Sequence, residues 1–257
     1  MTWFQALVLG VVQGLTEFLP VSSSGHLVIA DTLFGSNEPG VAFDAFVHGA
    51  TLLAVLVYFR RRIVRIAVDR SWPYVAKIVV GTIPAGVVGV LFESAIERTF
   101  ASPWLVVVTL VGTGGILLSL YALPEKRTEV EEPSYLQAWW IGCAQMVAIL
   151  PGVSRSGSTI VAARWLGVAP GAAAEFSFLL GVPAIAGALV LQAGELRAEA
   201  AAGSGAVFVV GWVAALVSGV VAIALVFRLL ARRSFRRFGW YCLALAAVFG
   251  GWLWLTA

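Results

Sequence analysis

The sequence predicts an all-α polytopic membrane protein, an inverted repeat with six transmembrane helices and two re-entrant broken-helix segments. Three observations carry this. Of 257 residues, 60% are hydrophobic and 12% charged, where a soluble domain carries about 25% charge. The apolar residues gather into runs near the length that a bilayer-spanning helix needs. Two polar, proline-interrupted segments resemble each other at a constant offset. A net charge of +3 would raise nucleic acid as a partner of a soluble protein, but here the basic residues sort by membrane side. The expected partners are membrane lipid and not nucleic acid. Cys143 and Cys242 lie in apolar runs without C-x-x-C spacing and read as packing residues. Met1 to Val12 has no basic n-region and no cleavage pattern, so it is expected to belong to the mature single membrane domain, 1–257.

Six runs read as spans: Val41 to Phe59, Val75 to Phe92, Trp104 to Leu123, Gly171 to Leu191, Ala206 to Phe227 and Phe238 to Leu255, each about 18 to 22 residues. Two other apolar regions do not fit a span. Trp3 to Phe34 carries Gln13 and Glu17 and breaks at Pro20; its second piece, Leu27 to Phe34, reaches only about 12 Å as a helix. Trp139 to Leu166 breaks in the same manner at Pro151 and Gly152. Tryptophans 72, 104, 139, 140, 240, 252 and 254 fall near span ends, where an indole rests at the interface.

Charge sets the topology. Arg60, Arg61, Arg62, Arg65 and Arg70 crowd one loop, and Arg228, Arg232, Arg233, Arg236 and Arg237 another; Arg98 and Arg197 stand in the short loops between. The positive-inside rule places both clusters in the cytoplasm. Counting crossings then brings the chain back to the cytoplasm at the Pro124 to Pro133 loop and leaves Trp139 to Leu166 an even number of crossings. A helix, break and helix entering and leaving on one side satisfies this, with its irregular backbone buried in protein or facing water.

A shift of 132 residues aligns Gly10 with Gly142, Gln13 with Gln145, Val21 with Val153, Ser22 with Ser154, Ser24 with Ser156 and Gly25 with Gly157. This is the mark of a duplication, with repeat one at 1–124 and repeat two at 135–257. Each copy holds one broken segment and three spans. Three is odd, so the second copy is inverted, and inverted repeats bring their broken helices to a shared site near the midplane. Both termini are then expected outside.

The first polar constellation runs from Gln13 to His26. Gln13 and Glu17 are four residues apart and share one helix face, where they can converge on a ligand or metal ion. Pro20 ends that helix. Ser22, Ser23, Ser24 and Gly25 offer hydroxyls and free backbone N–H groups at the start of the next, with Ser24 the expected N-cap, which makes an anion site. His26 adds a side chain suited to proton transfer near neutral pH. The competing reading of any one residue is structural: a buried ion pair for Glu17, a cap for a serine, a carbonyl bond for His26. For the run as a whole that reading is weak, because intramembrane ionisable groups are costly.

The second constellation is Pro151 to Thr159. Arg155 brings a planar fork for phosphate, with Ser154, Ser156, Gly157 and Thr159 around it. An ion pair from Arg155 to Glu17 or Glu175 competes with phosphate binding. Asp44 and Glu175 are candidates to line the same cavity; His48 is left out of the catalytic set, and Arg164 reads as structural. One arginine cannot offset a diphosphate, so charge balance points to a divalent cation, Mg²⁺ or Ca²⁺, held by Glu17. A polar pocket inside the bilayer implies a substrate whose tail stays in lipid. A transporter or flippase of lipid phosphates is the rival reading, because inverted repeats with broken helices are a transporter architecture.

At these residues the chain resembles the bacitracin-resistance family of undecaprenyl-pyrophosphate phosphatases. Gln13, Glu17 and Pro20 to His26 match its first signature and Pro151 to Thr159 its second, and the run at Glu175 is similar as well. The resemblance implies hydrolysis of undecaprenyl diphosphate to the monophosphate and inorganic phosphate, which renews the lipid carrier for cell-wall synthesis in the bacterial inner membrane. It implies a divalent metal with Gln13 and Glu17 at the metal or diphosphate, Arg155 on phosphate, Ser23 and His26 at the reaction centre, and a pocket open to the outside. Ser23 activated by His26 is the expected nucleophile; attack by His26 or by water stays open, as does a homodimer.

Overall fold

The computed structural model describes residues 1–34, 41–124, 129–194 and 205–256. Twelve helices run through them: α1 (Trp3–Phe18), α2 (Ser23–Phe34), α3 (Val41–Tyr58), α4 (Arg60–Val68), α5 (Trp72–Leu91), α6 (Glu93–Phe100), α7 (Pro103–Ser119), α8 (Tyr135–Val147), α9 (Arg155–Trp165), α10 (Pro170–Leu191), α11 (Gly205–Ala231) and α12 (Phe238–Thr256). Helices α5, α10 and α11, together with α7 and α12 taken with their adjoining 3-10 turns, are long and apolar enough to cross a membrane. Helices α3 and α4, bent by 63° at Phe59, form a sixth candidate. Among the described residues there is no strand, only an isolated bridge between Val130 and Val168. Arg197 and residues 125–128 of the expected cytoplasmic loop lie outside the described residues.

Local signals explain the helix ends. Thr2 caps α1 and Ser134 caps α8, each through a capping box closed by a glutamine three residues on: Gln5 Oε1 accepts from Thr2 N at 2.7 Å, and Gln137 Oε1 from Ser134 N at 2.6 Å. The two boxes sit at the same offset as the polar motifs, so the likeness of the two halves reaches the first turn of each. Pro103 and Pro170 stand in the opening turns of α7 and α10, where no intrahelical N–H is lost. The Arg60 to Arg65 cluster is not a loop, as the charges alone implied, but the amphipathic helix α4. Arg98 likewise lies on the short helix α6. Both follow from apolar residues at helical spacing among the charges.

Contacts between helices pair off across the halves: α1 lies along α11, and α8 lies along α5. Both crossings are glycine on glycine. A Cβ at Gly10 would strike the carbonyl of Gly211, and one at Gly142 the carbonyl of Gly81. Small residues permit such close backbone approach where lipid supplies no hydrophobic drive for association. Gly142→Ala is expected to cost about 1–3 kcal/mol as the helices are forced apart, read as a lower melting midpoint in detergent. Gly112→Ala, whose Cβ would meet nothing within 4 Å, should leave the midpoint unchanged.

Between the halves lies an aromatic core. Phe18 at the end of α1 meets Phe178 of α10 edge to face at 5.5 Å, and Phe59 and Phe227 close around Phe178 at 6.3 Å each. Exposed apolar side chains such as Val79, Val87, Val108, Val217 and Val248 cover the outer faces, as a hydrocarbon surround requires. Trp72, Trp104, Trp139, Trp140, Trp240 and Trp254 are exposed near helix ends.

Candidate active site

Each broken segment turns inside the protein. Leu19 caps the end of α1, and the next residue, Pro20, cannot continue it; after the turn Ser22, at φ 67°, opens α2. A left-handed serine stores backbone strain, which is tolerated where surrounding contacts hold it. Ser22, and not Ser24, is the residue that caps: its Oγ accepts from Gly25 N at 3.2 Å. Its counterpart Ser154 caps α9, accepting from Gly157 N at 3.1 Å. The pairs repeat once more, Ser22 to Ser24 at 3.3 Å and Ser154 to Ser156 at 3.4 Å between hydroxyls. The two breaks touch: a Cβ on Gly25 would lie 3.1 Å from Gly152 Cα. Ser156 Oγ donates to Leu19 O at 3.2 Å.

Where the breaks meet, four side chains converge on Glu17. Arg155 Nη2 donates to Glu17 Oε1 at 2.6 Å, while Ser23 Oγ at 2.7 Å and Gln13 Nε2 at 3.2 Å donate to Oε2. His48 Nε2 stands 3.6 Å from the same Oε2. The side chains of Glu17 and Arg155 are 6% and 14% exposed, so the ion pair is largely desolvated, and removing one partner leaves a buried charge. Two polar atoms remain free: Arg155 Nη1 and Gln13 Oε1 are buried without a hydrogen-bond partner. One arm of the guanidinium therefore holds the carboxylate, and the other lies against Gly181 of α10 with its hydrogen-bonding capacity unused.

Of the expected arrangement, the contact of Arg155 with Glu17 and the position of Gln13 are present. The pairing of Ser23 with His26 is not. His26 Nδ1 lies 2.7 Å from Ser22 O and Nε2 lies 2.7 Å from Tyr241 OH, so both ring nitrogens are occupied elsewhere, and the hydroxyl of Ser23 faces Glu17 instead. Thr159 does not reach into the site. It is fully buried, and its Oγ1 engages Arg155 O at 2.7 Å and Ser177 Oγ at 2.6 Å, which steadies the arginine's helix against α10. Ser154 and Ser156 are buried in capping and packing roles. The contribution of α2 and α9 to an anion is their first-turn N–H groups, which a helix leaves unpaired. Glu175 does not share a cavity with Asp44: it accepts from Arg62 Nε at 2.8 Å and Tyr74 OH at 3.3 Å, a separate cluster joining α4, α5 and α10. Arg164 is structural, as expected, donating to Val168 O and pairing with Glu129.

Several residues at the site carry no motif. His48 comes to Glu17 because α3 packs on α1; the cost of an ionisable group inside a membrane was the signal available for it. Thr109 and Thr113 of α7 support the second break, donating to Pro151 O at 2.6 Å and Gly152 O at 2.9 Å. Gly181 of α10 leaves room for the guanidinium of Arg155, into which any Cβ there would run. Tyr241 of α12 holds His26. Cys242 is buried and contacts Pro20 O at 3.6 Å through sulfur.

The family model described as bacitracin resistance protein BacA matches residues 6–248. An undecaprenyl-diphosphatase of Rubrobacter xylanophilus is 40% identical, over 95% of this chain and 96% of that protein. One of Salinibacter ruber is 37% identical over 98% of this chain and 100% of the relative. A third, from Geobacter sulfurreducens, is 41% identical over 92% and 93%. The model match takes in both broken segments and every helix that supplies a residue around Glu17, and on that span the chain belongs to the bacitracin resistance protein BacA family.

Proposed function

We propose that this multi-pass membrane protein is an undecaprenyl-diphosphatase: it hydrolyses undecaprenyl diphosphate to undecaprenyl phosphate and inorganic phosphate in the bacterial inner membrane, from a site facing outside. The observation that carries the reading is the pair of unlike functions on one buried carboxylate. Glu17 accepts the Ser23 hydroxyl at 2.7 Å and the Arg155 guanidinium at 2.6 Å, and the second arm of that guanidinium has no partner. A hydroxyl beside a proton acceptor, facing a fork shaped for phosphate, is a phosphoryl-transfer arrangement. Relatives at about 40% identity over nearly the full length carry that activity in their names.

Arg155 takes the phosphate oxygens as its guanidinium exchanges Glu17 for substrate. Ser23 Oγ attacks the terminal phosphorus as its proton passes to Glu17 Oε2, and the lipid monophosphate leaves. The developing charge rests on Arg155 and on the first-turn N–H groups of α2 and α9. His26, one helical turn from Ser23 on α2, is the second proton carrier and activates the water that frees the phosphate.

A divalent cation fits this donor set. Gln13 Oε1 is buried without a partner, the Glu17 carboxylate is beside it, and Mg²⁺ needs only one or two protein ligands when substrate phosphates supply the rest. Gln13 and Glu17 would hold it, and its charge would neutralise the diphosphate. Repeats 1–124 and 135–257 are read as the inverted halves that bring the two breaks together.

The direct test is release of inorganic phosphate from undecaprenyl diphosphate by purified protein in detergent with Mg²⁺ or Ca²⁺. Folded protein that releases none would refute the phosphatase. Movement of the lipid across liposomes without hydrolysis would favour a transporter.

A further inference from the structure

Tyr241 is the fourth residue of α12, 215 residues from His26, yet its hydroxyl is 2.7 Å from His26 Nε2. The two rings are parallel to within 2°, offset at a centroid distance of 5.8 Å. On the other side of the imidazole, Nδ1 is 2.7 Å from the carbonyl oxygen of Ser22. A carbonyl only accepts, so Nδ1 carries its proton in both states of the ring. Every change in protonation of His26 therefore takes place at Nε2, the atom that Tyr241 holds.

A phenol hydroxyl both donates and accepts. It donates to Nε2 when the ring is neutral and accepts from Nε2–H when the ring is charged. A carboxylate at the same place would favour the charged ring, and a backbone N–H would serve only the neutral one. Because both ring nitrogens are occupied, His26 meets a water molecule only through this hydroxyl, and Tyr241 is itself about half exposed.

We infer that Tyr241 is the proton relay of His26. The inference rests on the phosphatase reading, in which His26 activates water. In that step the water's O–H bond breaks and its proton goes to Tyr241 Oη. The phenol's own proton passes to His26 Nε2, and the water's electron pair forms the bond to phosphorus as the phosphorus–Ser23 Oγ bond breaks and Oγ takes its proton back from Glu17 Oε2. Tyr241 ends unchanged and His26 ends protonated. The reverse transfer returns the proton to bulk water or to the departing phosphate.

The test compares wild type with Tyr241→Phe, which keeps the stacked ring and removes only the hydroxyl. Hydrolysis of undecaprenyl diphosphate in detergent should fall by about tenfold or more in kcat, the loss expected of one hydrogen-bonding group acting in the transition state, with KM within about twofold. Tyr121→Phe, at an exposed tyrosine stacked under Arg236, should leave both constants alone. In histidine-¹⁵N-labelled protein, the Nε2 resonance of His26 should move toward a free acceptor in Tyr241→Phe, with His48 unmoved. Wild-type kcat in Tyr241→Phe overturns the relay. Should that variant lose its fold, the wild-type spectrum decides: neutral His26 protonated at Nε2 instead of Nδ1 overturns the relay, and protonation at Nδ1 with Nε2 accepting a hydrogen bond upholds it. A wild type that releases no phosphate refutes the phosphatase reading itself, a separate outcome.

Discussion

Arg155→Lys is expected to lower kcat for undecaprenyl diphosphate by about 10³-fold, the scale on which a phosphate-clamping arginine acts, while the protein stays folded. Lysine keeps the positive charge, so Glu17 retains a counter-ion, and the variant isolates geometry from charge. An ammonium is a point donor. It cannot hold Glu17 with one arm and leave a second arm free, the division seen in the bond of Nη2 to Glu17 at 2.6 Å and the unpartnered Nη1. The comparison with Arg155→Ala separates the two contributions. Alanine strands a carboxylate whose side chain is 6% exposed, and removing one partner of such a pair costs about 3–5 kcal/mol. That variant should therefore melt earlier as well as lose turnover, whereas Arg155→Lys should lose turnover with a smaller shift. Near-normal kcat in Arg155→Lys would remove the guanidinium from the proposed role.

Glu17→Gln should reduce turnover by about 10²-fold or more and shift the metal titration to higher concentration by at least tenfold, by loss of a charged ligand and of the proton acceptor for Ser23. The change is nearly isosteric, so packing against the Phe18 and Phe178 core is preserved. The hydrogen bonds are not. Glu17 Oε2 now accepts from both Ser23 and Gln13, and an amide nitrogen at that position would face two donors. Cation binding measured by calorimetry without substrate gives a reading independent of turnover. A metal titration identical to wild type would place the cation on other ligands, and unchanged kcat would pass the role of proton acceptor to His48, 3.6 Å away.

Most of the architecture was legible in the chain because membrane insertion constrains it so strongly. Spans must be apolar and near 20 residues, backbone breaks must be buried, and arginines must gather on one side. The six expected spans correspond to α3, α5, α7, α10, α11 and α12. The helical character of residues 60–68 was missed because a count of charges reads as loop, although Ile63 and Ile66 among the arginines have helical spacing. The convergence of Gln13, Glu17 and Arg155 was readable from spacing and from the offset between the repeats, while Ser23 entered through the family resemblance. Side-chain direction was not. Ser23 and His26 lie three apart on one helix, which allows either to face the other or a third group; the choice was made by Ser22 O and Tyr241, and neither is implied by the motif.

The sequence alone determined that this is a multi-pass membrane protein with two look-alike polar breaks, and it singled out Glu17 and Arg155 as charges too costly to be incidental. Those follow from local rules of length, polarity and periodicity. Only the tertiary structure decided which groups share a proton: Ser23 with Glu17 rather than His26, His26 with Tyr241, and His48 beside the carboxylate although no motif contains it. Hydrogen bonds form over about 3 Å between atoms aimed at each other, and that aim is set by how α3 and α12 pack around the breaks, long-range contacts that no short window of residues encodes.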